Sequence, residues 1–394
     1  MTRSRAFCSS VRVEYAAASM DGDVPLAESE LDAPFLTEPK RPHPVLTLRD
    51  YFQALECFIK RCLGPEREGL EGVPASPWNP DQIIIRSEKH GAFAHIASID
   101  LISGIDKIKI CASTALKEEG NLTLHNEYHI LRRLRKSHGL PYLPRPMALG
   151  DTTAGPGGQE RLSILLTDWF EGFHEWHLHP GDPGSPPGIQ IWDQEYGHRP
   201  AAPEEIHRIF EEAARILTLY YHPETFCQIT PWHHAAGDFI VRSTPESTEM
   251  RLCTARGFRP LPGITTAEAD PHVALVYFLL NTALRMRLDR RDGLEEPVWA
   301  GETAVKSTVK GFLRAVESTR AASRAGIGRP GDLLALLCSF SPEELARLHA
   351  PLISLYREGD PEEKALMEDR LPDHSLTLFR VFREARESGP REAR

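Results

Sequence analysis

The sequence is short of several features that would settle its class at once. Cysteine is sparse: seven residues in 394, with no C-x-x-C pair among Cys8, Cys57, Cys62, Cys111, Cys227, Cys253 and Cys338. A chain of this length needs no disulfide staples, so the odd, scattered set implies reduced thiols and a cytoplasmic location. Long apolar runs are missing as well. The most apolar segment, VALVYFLLNTALRM (Val273 to Met286), contains an Asn and a Thr and falls short of the roughly 20 residues that span a bilayer. The leading MTRSRAFCSSVRVEY has basic residues but no continuous apolar stretch, which argues against a secretory signal. Positive charge is in deficit, with 46 Lys and Arg against 56 Asp and Glu and a net charge of −10. That balance excludes a dedicated nucleic-acid binder and leaves room only for a local basic patch. Neither a G-x-S-x-G nucleophile elbow nor an H-E-x-x-H or Cys/His zinc framework occurs.

What is present is ordinary soluble composition, 41% hydrophobic and 26% charged, in a chain long enough for two or three domains or one two-lobed domain. Residues 1–44 have little hydrophobic periodicity and are expected to form a flexible arm. LRDYFQALECFIKRCLG places Leu48, Tyr51, Phe52, Leu55, Phe58 and Ile59 on one helical face, with a stop at Gly64-Pro65; this helix and a Pro/Gly loop fill 45–80. Ile83 to Ile102 reads as a hairpin broken at His90-Gly91, and KIKICAS as a third strand. NLTLHNEYHILRRLRKSHG is a helix closed by Gly139, and RLSILLTDWFEG an apolar strand. A β-rich lobe over 81–172 is thus followed by a helical lobe over 173–320 and a helical extension over 321–394. The plan is α+β. The histidines of FHEWHLHP (His174, His177, His179) read as surface polarity beside a Pro/Gly loop, and RMRLDRRD (Arg285 to Asp292) as a solvated helix end.

Three segments resemble the protein-kinase-like superfamily, in its aminoglycoside-phosphotransferase and lipopolysaccharide-kinase branch. NEYHILRRL is similar to the helix that carries a key glutamate, here Glu127. LLTDWFEGF is similar to the strand and hinge that meet an adenine edge, giving Asp168 and Phe170. PWHHAAGDFIV is similar to the end of the catalytic loop and also to a bacterial group of kinase-like proteins with degenerate motifs. The resemblance covers roughly residues 83–311. It implies a two-lobed fold, ATP and Mg²⁺ as cofactors, and a ligand held between the lobes.

Carried over residue by residue, Asp238 takes the position of a metal-binding Asn, and His233 that of the acceptor-orienting Asp; a neutral imidazole can do that work near pH 7. Gly91 stands alone where the family has several phosphate-loop glycines. The lysine partner of Glu127 is Lys109 or Lys107, which share a strand face, or the register puts Ser113 there. Where the family writes D-F-G, this chain has Ala255-Arg256-Gly257. Alanine holds no cation, and Arg256 either substitutes electrostatically for the metal or anchors a turn by pairing with a carboxylate. A transition-metal site from His233, His234 and Asp238, joined by His174, His177 or His179, is a further reading. Two functions follow: an atypical phosphotransferase acting on a small molecule or glycan, or a pseudokinase that binds a ligand or protein partner without turnover.

Overall fold

The computed structural model describes residues 11–18, 24–38, 41–64, 80–91, 93–179, 187–193, 197–234, 237–244, 247–264, 270–293, 295–318, 330–355 and 360–388. The chain is α+β, richest in strands early and in helices late. It divides into two compact units, one built largely from residues up to Glu171 and the other from Gly172 onward.

In chain order the first unit holds β1 (Arg12–Ala17), β2 (Val24–Pro25), α1 (Glu28–Leu31), β3 (Pro34–Glu38), β4 (Arg41–Thr47), α2 (Leu48–Leu63), β5 (Gln82–His90), β6 (His95–Ser103), β7 (Asp106–Ala115), α3 (Glu118–His138), β8 (Pro146–Ala154) and β9 (Glu160–Asp168). Seven of these strands make one sheet in the order β2-β1-β5-β6-β7-β9-β8. Strand alternation gives the sheet two apolar faces. On one, Tyr51, Phe52, Leu55, Phe58 and Ile59 of α2 pack against Ile83, Ile99, Ile110 and Ile164. On the other, Leu124 of α3 meets Ala115 and Leu165. Helix α2 begins where the Thr47 side chain accepts the Asp50 N–H and the Asp50 carboxylate accepts the Thr47 N–H, a reciprocal cap.

The segment expected to be a flexible arm contributes to this unit. Residues 12–17 run parallel to β5 as β1, and Tyr15 stacks on Phe52 at 4.8 Å. Phe35, from the β3–β4 pair, stacks on Tyr51 at 4.8 Å. The six residues of β1 are too few to show a hydrophobic period by themselves; they are ordered by the edge of β5. Residues 1–10 and 19–23 of that expectation, and the loop at 65–79, lie outside the described residues.

The second unit continues with β10 (His174–His179), β11 (Gly188–Asp193), β12 (Gly197–Pro200), α4 (Pro203–Leu219), β13 (Gln228–Ile229), β14 (Phe239–Ser243), β15 (Thr248–Leu252), β16 (Phe258–Arg259), α5 (Pro271–Arg285), β17 (Leu288–Arg290), β18 (Pro297–Trp299), α6 (Glu302–Ser318), α7 (Pro330–Leu337), α8 (Pro342–Ser354) and α9 (Pro361–Ser388). Its sheet runs β12-β11-β10-β14-β15, and β13–β16 and β17–β18 form separate pairs.

Two local expectations are corrected here. Of the histidines of FHEWHLHP, expected at the surface, His177 departs from that reading: β10 lies between β11 and β14 and buries it with Trp176 and Leu178, while His174 is half-buried and His179 exposed. RMRLDRRD is not a solvated helix end either. The chain leaves α5 after Arg285 and dives into β17, which buries Arg287 and Asp289. Among the described residues, no helix is long and apolar enough to cross a membrane.

Candidate functional site

Two loops are brought together by strand pairing. Ile229 of β13 pairs with Phe258 of β16, and Phe239 of β14 with Leu252 of β15. The segments 230–238 and 253–257 therefore begin and end as neighbours. The Thr230 N–H donates to the Gly257 carbonyl (3.0 Å), and the Cys253 N–H to the Asp238 carbonyl (2.7 Å). A Cβ at Gly257 would run into the Thr230 carbonyl, so this close approach requires glycine.

Asp238 and Arg256 converge, but on each other. Arg256 donates from Nη1 to Asp238 Oδ2 and from Nη2 to Oδ1, both at 2.7 Å. The His233 backbone N–H adds a third bond to Oδ2 at 2.9 Å. The carboxylate is buried and accepts a two-pronged guanidinium, the strongest geometry available to that pair. A cation at Asp238 would compete with these bonds and with the Arg256 charge. Of the two sequence readings for Arg256, carboxylate pairing is the one the geometry displays.

The His233 side chain faces Glu363 of α9, with Nε2 at 3.1 Å from Oε1. Arg290 also reaches that carboxylate, Nε to Oε1 at 3.3 Å. Burial alone would raise the Glu363 carboxyl; the His233 contact and the charges of Arg290 and Arg285 outweigh it and hold it below its ordinary value. A carboxylate at that distance orients the imidazole ring. Arg285 lies over the Trp232 ring, 5.0 Å from its centroid, and donates to the Trp232 carbonyl.

His234 is a core residue. Its ring sits 4.5 Å from Trp176, 5.4 Å from Trp232 and 5.8 Å from Phe239, centroid to centroid. Burial, aided by the nearby His233 and His177, pushes its pKa well below the usual imidazole value. His177 has the opposite character. Its nitrogens lie 3.6 Å from Asp289 and 3.7 Å from Glu175. Burial works against charging it, yet these two carboxylates raise it to about 9. Asp289 is completely enclosed and accepts the Leu178 and Arg290 N–H groups at 2.7 and 2.8 Å. His174 is 3.6 Å from Asp193. Among the described residues, no group of three or more His, Cys, Asp or Glu side chains could hold a metal ion.

The remaining expected residues belong to the first unit. Gly91 closes the β5–β6 turn, its N–H donating to the Ala94 carbonyl at 2.9 Å. The Lys109 ammonium rests over the Trp169 ring at 4.8 Å. Lys107 lies 3.1 Å from the buried Asp100 carboxylate, which Arg86 also meets at 2.8 Å. Glu127 is buried and lies near Cys111: burial pushes that thiol up to about 12, and the charges of Glu88 and Glu127 add to the shift. Asp168 accepts from Arg145, through Nη2 at 2.7 Å and the backbone N–H at 3.0 Å. Phe170 follows β9, half-buried.

Sequence reasoning did not single out Glu363 or Asp289. Glu363 is one of two glutamates opening a helix after Pro361, where the helix dipole is explanation enough. Asp289 carried a usable signal, since it is the one acid inside LDRR and directly follows the apolar Leu288. No protein-family model and no curated protein matches the chain.

Proposed function

We propose that the protein is a kinase-fold binding module that takes a nucleotide or another phosphorylated ligand without transferring the phosphoryl group. One observation carries this reading: both oxygens of Asp238 are held by Arg256. Phosphoryl transfer needs one or two Mg²⁺ ions on oxygen ligands. The position that follows β15, where the resembling family keeps a second acid, is Ala255. An internal guanidinium then neutralises the remaining acid. Electrostatic stabilisation is usually the largest catalytic term, so a site without it retains binding and loses turnover.

Thermal melting of the whole protein with ATP, in Mg²⁺ or in a chelator, tests this. ATP is expected to raise the melting temperature equally in both, with no ADP formed on incubation. Stabilisation that requires Mg²⁺, together with ADP release, would overturn the proposal in favour of an enzyme. No response to ATP or ADP would overturn the ligand class and leave a protein partner.

The second reading, an atypical ATP-dependent phosphotransferase acting on a small molecule or glycan, is favoured by the His233–Glu363 pair. An imidazole oriented by a carboxylate is equipped to accept a hydroxyl proton. Under that reading, His233→Gln abolishes ADP release while leaving the ATP-induced melting shift intact.

A further inference from the structure

The second half of α3 carries a concentration of cations that the site above does not use. His129, Arg132, Arg133, Arg135 and Lys136, with Pro146 at the start of β8, line an open groove of 690 Å³. The chain as a whole is negative, at −10, so four permanent cations in one groove are a local exception to its charge.

The common reason for basic residues late in a helix is the negative end of its dipole. That accounts for Arg135, Lys136 and His138, which occupy the last turn. It does not account for His129, Arg132 and Arg133, because the effect fades within one turn of the terminus. The spacing is also unfavourable for the helix itself. Arg132 and Lys136 stand four residues apart, where like charges destabilise. Arg132 is braced against the Tyr128 ring at 5.5 Å, which holds its guanidinium near the helix surface.

We propose that this groove binds a compact polyphosphorylated small molecule, several phosphates on one small frame. Its volume falls in the range of about 300 to 1,000 Å³ typical of single-ligand pockets. Three of its four permanent cations are guanidiniums, whose planar fork matches phosphate oxygens two at a time. Arg132, Arg133 and Lys136, close together on one helical face, suit clustered phosphates better than an extended strand, and the molecule's net negative charge repels a long polyanion. The groove lies in the first unit, so the inference is independent of the proposal for Asp238.

Calorimetric titration of the whole protein with inorganic tripolyphosphate tests it, beside orthophosphate, single-stranded RNA and anionic vesicles. Tripolyphosphate is expected to bind one to one and more tightly than orthophosphate. Arg135→Gln/Lys136→Gln should weaken it about tenfold or more, since each lost contact of this kind is worth on the order of 1 kcal/mol. Arg347→Gln/Arg370→Gln removes the same charge from α8 and α9 and should not change binding. Equal weakening in the two double variants would reduce the effect to overall charge and overturn the proposal. So would unchanged binding in Arg135→Gln/Lys136→Gln, or tighter binding of RNA or vesicles than of tripolyphosphate.

Discussion

Asp238 and Arg256 show how a single pairing can decide what a loop does. The acid is 2% exposed, and removing one partner of such a pair leaves the other charge uncompensated, at a cost of about 3 kcal/mol. Replacing both by apolar residues of similar size is often close to neutral. Arg256→Met and Asp238→Leu should therefore each lower the urea midpoint strongly, while the double variant recovers most of the loss; strictly additive losses would show that the two side chains do not depend on each other. The residues of this pair were legible in the sequence, because Asp238 opens an apolar strand and Arg256 follows another within a short span. The pairing of His233 with Glu363 was not. It depends on where α9 packs, and nothing near PWHHAAGDFIV encodes a helix that arrives from the far end of the chain.

At the level of elements, the contact between α4 and α6 depends on Gly311. A Cβ there would run into the Glu211 carbonyl and close on the Arg215 nitrogen at 3.1 Å, so the two backbones approach as only glycine allows. Lys310 reaches the Glu211 carboxylate at 2.9 Å, and Arg314 pairs with it one turn further on. Gly311→Ala gains about 1 kcal/mol of helix propensity, but forcing the helices apart costs about 1 to 3 kcal/mol, and backbone cannot swing aside as a side chain can. A net destabilisation of up to about 2 kcal/mol in chemical unfolding is expected; a more stable variant would mean that the helices slide to make room. Helices such as α2 and α3, with apolar stripes and clear stops, could be read from the sequence alone. Strand β1 and the central place of β10 could not, because a six-residue strand takes its order from its neighbours. The charged buried segment after α5 was misread for a related reason. Arg287 donates from Nε to the Ala300 carbonyl at 2.7 Å and lies over the Trp299 ring, partners that exist only once β17 and β18 have paired.

For the whole molecule the buried histidines set the response to acid. Burial lowers His95 to about 3 and His349 to about 4, and pushes His234 and His374 well below the ordinary value. Each is neutral in the folded chain near neutrality and titrates near 6.5 when unfolded. Their contribution is therefore fully present above pH 6.5 and is lost as pH falls toward the folded values, because the unfolded chain takes up protons that the folded chain refuses. His349 alone corresponds to on the order of 3 kcal/mol across that window. Paired carboxylates such as Glu205, held at about 2 by Arg199, lose their contribution only below about pH 4.5; the interval from 6.5 to 5 belongs to the histidines. His177 runs the other way, since a value raised to about 9 adds stability that is present below 6.5 and fades as pH climbs through 9. Unfolding free energy measured by urea titration should consequently fall between pH 6.5 and 5 with a slope steeper than the roughly 1.4 kcal/mol per pH unit of one proton, and decline again as pH rises from about 7 to 9. His349→Leu should flatten the acid limb, and His177→Gln the alkaline one. A stability that stays level from pH 7.5 to 5 would mean that these imidazoles find water or a carbonyl as the chain relaxes, and that the acid limb starts with the carboxylates instead.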